Sequence, residues 1–138
     1  MKEVLLYIQI AITAIGGGIG WFLGGMDGLI YALIAFVILD YLLGVMCAIV
    51  EKQLSSDIGA KGIFKKMVIF ALVGVAHIID KNIIGDGSAI RTAVIFFYLS
   101  NEGISIIENS TRLGLPIPMK LKNILEQLKD GGGKDGTN

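Results

Sequence analysis

Four long apolar runs take up most of this 138-residue chain, and its basic residues gather on one side of them. A membrane core is crossed by about 20 mostly apolar residues in a helix, so four such runs leave little chain for any soluble unit. The composition agrees: 17% of residues are charged, against about 25% in soluble domains. The fold class expected is therefore all-α, a polytopic membrane protein with four transmembrane helices and a short cytoplasmic amphipathic helix at the C-terminal end.

The expected spans are roughly 4–23, 29–50, 63–79 and 88–107, within a membrane domain covering 1–118. Met26-Asp27-Gly28 reads as a tight turn, residues 51–62 as a polar loop and 81–87 as a turn-rich loop. Gly114, Pro116 and Pro118 stop the last long helix. In residues 119–130, Leu121, Ile124, Leu125 and Leu128 recur at amphipathic helical spacing. Residues 131–138 are low-complexity and expected to be disordered. The first run follows only a weak basic segment and shows no small-residue cleavage site, so a retained helix is expected rather than a signal peptide.

Basic residues near span ends bias a loop toward the cytoplasm. With four spans, both termini and the middle loop share a side. That side holds Lys2, Lys52, Lys61, Lys65, Lys66, Arg112, Lys120, Lys122, Lys129 and Lys134, whereas the other holds Lys81 and Arg91. Both termini are accordingly expected in the cytoplasm. A three-span arrangement would scatter these charges over both sides.

Polar residues inside the spans are the functional candidates. An aspartate at the centre of a span, such as Asp40, costs about 2.5–3.5 kcal/mol on insertion scales. It must be protonated, paired or facing water. Gly44 and Ala48 continue its face and permit close helix packing. On the fourth span Arg91, Tyr98, Glu102, Ser105 and Asn109 fall within an arc of about 60° at helical pitch, with Asn101 beside Glu102. Such a stripe faces protein or water, not lipid, so it marks either a buried network or an aqueous path. His77 and Asp80, one turn apart, are within hydrogen-bonding reach of each other and read best as an interfacial cap. Gly16, Gly20 and Gly24 form a small-xxx-small series, suited to self-association, to internal packing, or simply to a frayed helix end.

Other classes of function find little support. A formal net charge of zero gives no argument for nucleic acid. Cys47 is the single cysteine, so no intrachain disulfide can form. No nucleophile–base pair, phosphate-binding glycine loop or metal-spaced cluster stands out, and neither catalysis nor a metal or cofactor is expected. The sequon Asn109-Ser110-Thr111 is discounted on its cytoplasmic placement.

Several segments in order do resemble a known family. They are Asp40-Tyr41-Leu42-Leu43-Gly44, Ser55-Ser56-Asp57-Ile58-Gly59 with Lys61-Gly62-Ile63, and Ala76-His77-Ile78-Ile79-Asp80. They continue with Arg91-Thr92-Ala93-Val94-Ile95-Phe96-Phe97-Tyr98, Asn101-Glu102-Gly103, Ile104-Ser105-Ile106-Ile107-Glu108-Asn109 and Leu113-Gly114-Leu115-Pro116-Ile117-Pro118. Together, over about residues 27–129, they resemble the phage lysis and toxin-secretion holins, including clostridial toxin-release proteins. The resemblance implies a homo-oligomer in the lipid of the bacterial cytoplasmic membrane that opens timed lesions. These release an endolysin (a murein hydrolase) or a toxin. It carries over no catalytic residues. A protein that hides polar surface before opening leads to the expectation that Asp40 faces the stripe of the fourth span in the closed protein and that Glu102 pairs with Lys66. A small ion channel or transporter and an antiholin-type regulatory subunit are the alternatives.

Overall fold

The computed structural model describes residues 1–129, and the expected tail over 131–138 lies outside them. Five α-helices follow in order: α1 Lys2–Phe22, α2 Gly28–Val50, α3 Ser56–Ile79, α4 Ala89–Arg112 and α5 Met119–Lys129, with a π-helical turn Asp80–Ile84 extending α3. Among the described residues there is no strand. Four helices are long and apolar enough to cross a membrane, as the hydropathy pattern demands.

The third helix is longer than expected. It begins at Ser56, so most of the anticipated 51–62 loop is helix. Ser55 is extended at φ −139°, and its side chain accepts the Ile58 N–H at 3.2 Å. Asp57 in the first turn complements the helix dipole. The opening turn is polar, so hydropathy misses it.

The core lies between α2, α3 and α4. Ile30, Leu33 and Val37 meet Ile69 and Val73 on one side and Ile95 and Leu99 on the other, with Leu23 closing one end. The first helix is different, because only Gly20 along it is buried. It is held by its C-terminal end, where the Phe22 ring lies directly on Gly74 of α3. A Cβ at Gly74 would stand 2.0 Å from that ring.

The glycine series of α1 does not form one helical face. Gly20 packs against Met26 of the following turn, and Gly16 has open space around it. Gly24 lies beyond the helix with φ +86°, in the left-handed region that glycine tolerates best. The helix stops at Phe22, so Gly16 and Gly20 lie on α1 whereas Gly24 serves the chain reversal that follows it. Gly44 and Ala48 are half-buried. Gly44 faces the Asn109 side chain, and both residues line a cavity shared with α3 and α4.

Candidate functional site

Helix α4 carries two polar clusters, one at each end of its polar stripe. The first is built around Arg91, which is 3% exposed. Its guanidinium donates to the Leu23 carbonyl at 2.6 Å, the Gly25 carbonyl at 3.0 Å and Asp27 Oδ2 at 2.7 Å. Leu23 and Gly25 carry main-chain oxygens past the end of α1, where no further helical N–H can reach them. Asp27 in turn caps α2, accepting the Ile30 N–H at 3.0 Å. The Arg91 guanidinium holds the Asp27 carboxyl below the usual carboxylate range.

Asp80 belongs to the same assembly, and it is fully buried. Its two oxygens accept the N–H groups of Ile90 and Arg91 at 3.0 and 2.9 Å. It therefore caps α4 and does not pair with His77, correcting the expected local contact. The orphan N–H groups of a helix start are the stronger claim on a buried carboxylate. His77 instead lies against Gly24, where an added Cβ would meet its Nδ1 at 2.6 Å and Arg91 Nε at 2.8 Å. Arg91, Asp80 and His77 thus form a structural clasp joining α1, α2, α3 and α4.

The second cluster lies nearer the Arg112 end. Lys66 Nζ donates to Asp40 Oδ2 and Glu102 Oε2, each at 2.7 Å, so α2, α3 and α4 meet at one ammonium. The expected Glu102–Lys66 pair and the apposition of Asp40 with the stripe are both present. Asn109 Nδ2 donates to the other Asp40 oxygen at 3.1 Å. Asn109 Oδ1 accepts from Arg112 Nη1 at 3.1 Å, and Arg112 forms a fork with Glu51 at 3.0 and 2.5 Å. A continuous polar seam therefore runs Glu51–Arg112–Asn109–Asp40–Lys66–Glu102, from an exposed end into the bundle.

Every buried side-chain polar atom among the described residues has a partner, as burial in an apolar medium requires. Tyr98, Asn101 and Ser105 line a cavity of about 690 Å³ beside Lys66 and Glu102. A second cavity of about 470 Å³ also borders Asp40, along Gly44, Ala48, Ser105 and Asn109. Two carboxylates around one ammonium, flanked by space, make a group that water can enter without unwinding a helix. Near the end of α4, Ser110 and Thr111 satisfy their hydroxyls on the carbonyls of Ile106 and Ile107.

Sequence reasoning missed Asp27 as the partner of Arg91, 64 positions away, though an Asp before an apolar run is an N-cap signal. It also missed Ser100 and Gly103 on the other side of α4, on both of which α5 packs. The amphipathic helix is thus seated against α4 by Leu125, with Leu121 and Ile124 exposed.

No solved structure matches the chain. Its relatives in sequence include an uncharacterized 14.9 kDa protein of Clostridium perfringens, 40% identical over 94% of this chain and 98% of that one. An uncharacterized protein of Listeria monocytogenes is 41% identical over 96% of this chain and 93% of its own. A probable holin of Bacillus phage phi105 is 35% identical over 67% of each. The profile of the bacteriophage holin family matches residues 17–130, from the end of α1 through α5, and the chain belongs to that family.

Proposed function

We propose that this multi-pass protein is a holin that oligomerises in the bacterial cytoplasmic membrane and opens timed lesions, letting a murein hydrolase or a toxin cross. No reaction is catalysed, and family membership supports a membrane oligomer. Both termini face the cytoplasm in this reading. Ten basic residues lie on the cytoplasmic side in this reading against Lys81 and Arg91 on the other, and Arg91 is neutralised by Asp27.

The observation that carries the proposal is the polar seam. A protein that is harmless while dilute and later lines water must hide charged surface in the meantime. The seam does this with side chains alone. Asp40, Glu102 and Asn109, with Tyr98, Asn101 and Ser105 beside them, become the water-facing lining when α4 parts from α2 and α3. Arg91, Asp80 and His77 stay in the clasp. In the membrane, charged groups facing water are far less costly than charged groups facing lipid, so assembly around an aqueous opening favours the exposed state.

Co-expression in a bacterium with a cytoplasmic murein hydrolase lacking an export signal tests this. Sudden lysis that requires both proteins is the expected result. Depolarisation without hydrolase release would replace the proposal with a small channel, and no effect at confirmed membrane accumulation would replace it with a regulatory subunit.

A further inference from the structure

We propose that α5 is an autoinhibitory strap that braces α4 from behind and holds the polar seam shut. This rests on the lesion-forming reading above and adds the element that restrains it.

The seat is specific. Ser100, completely buried on the side of α4 away from the seam, donates its hydroxyl to the main-chain carbonyl of Leu125. Gly103 supplies the space for the Leu125 side chain, because a Cβ there would stand 2.8 Å from Leu125 Cδ2 and 3.2 Å from Phe36 of α2. The Leu125 side chain therefore fills the notch at Gly103, with Phe36 of α2 close to the same glycine. Ser100 and Gly103 lie 12 and 9 residues from Arg112, about 18 and 14 Å along the helix. That is the level of Glu102, so the strap braces α4 directly behind the charged cluster.

The strap is also built to release. Among the residues whose burial is described, Leu125 is the buried apolar anchor of α5, while Lys120, Lys122 and Glu126 are exposed. Eleven residues are too few for a stable isolated helix, so α5 depends on a surface to lie on. Its exposed Leu121 and Ile124, flanked by Lys120 and Lys122, suit an anionic lipid surface as the alternative seat. The turn through Gly114 (φ +94°), Pro116 and Pro118 is independent of α4 hydrogen bonding beyond Leu115. The strap can leave while α4 stays intact.

The test uses the full chain with L125N and S100A, at matched membrane accumulation. Two quantities are read: the time from induction to hydrolase-dependent lysis, and amide hydrogen exchange over residues 100–107 in detergent. L125N should raise exchange at least about tenfold, the loss expected for a buried leucine anchor, and lyse early. S100A should do both more weakly. Faster exchange with lysis at the wild-type time or later would overturn the inhibitory role. Unchanged exchange would overturn the seat itself. If the wild-type chain releases no hydrolase, the holin reading fails, and the exchange comparison still decides whether α5 braces α4.

Discussion

The two polar clusters of α4 differ in what they hold. Around Arg91 the partners are mostly main chain: carbonyls after α1, N–H groups at the start of α4, and through Asp27 the start of α2. Around Lys66 every partner is a side chain. A clasp bonded to the main chain cannot open without freeing the ends of three helices. A cluster of side chains can exchange its partners for water and leave every helix whole. The first arrangement suits a fixed end, and the second suits a part that moves.

Breaking the clasp should have the largest effect. Arg91→Ala leaves the buried Leu23 carbonyl without its donor and deletes a side chain that is 3% exposed; the unmade bond, at about 1–3 kcal/mol, adds to a cavity cost of about 2 kcal/mol or more. Loss of membrane accumulation and a lower Tm in detergent would show it. Arg91→Lys should recover only part, because a point charge cannot replace the guanidinium fork.

Breaking the cluster should be milder in stability and stronger in timing. Lys66→Met leaves Asp40 facing Glu102 without their cation. Lys66 keeps some access to water (16% side-chain exposure), so the expected loss is about 2–3 kcal/mol, discounted from about 3–5 kcal/mol for a fully buried pair. Lysis should come early. Adding Asp40→Asn and Glu102→Gln should restore most of the Tm and leave the timing altered. A triple variant as unstable as Lys66→Met would show that packing, not charge, holds the seam.

Gly24→Ala tests the turn that feeds the clasp. Its φ of +86° and the nearness of His77 and Arg91 predict a loss of about 1–2 kcal/mol, visible as a lower Tm with the lysis order of events unchanged. Acidification should produce the smallest effect. Asp27 has its carboxyl held below the ordinary value of 3.8 by Arg91. Its contribution is therefore fully present above about pH 4 and is lost as pH falls through the lower folded value. Half of the Asp27 side chain is exposed, so a slight drop in Tm confined to that acid window is expected. Asp27→Asn should remove the pH dependence.

Much of the membrane architecture was legible in the sequence, because length and hydropathy dominate in lipid. Helical periodicity likewise revealed the stripe on α4, and the cost of a charge in lipid singled out Asp40 and Glu102 with Lys66. What stayed hidden depends on contacts distant in sequence or on polar helix ends. Nothing local to Arg91 points to Asp27. The polar turn at Ser56 starts α3 seven residues before hydropathy rises. Gly24 shares the spacing of Gly16 and Gly20, yet the helix ends before it. Ser100 and Gly103 look unremarkable until α5 folds back on them.

The central claim is that the Asp40–Glu102 seam, closed in the resting protein, becomes the water-filled lining of the lesion. The most direct measurement places a cysteine at Ser105, in a Cys47→Ser background, and adds a membrane-impermeant thiol reagent outside the cell before and after lysis onset. The account predicts protection before onset and labelling that appears together with hydrolase release. Equal labelling at both times, or continued protection while the hydrolase escapes, would contradict it.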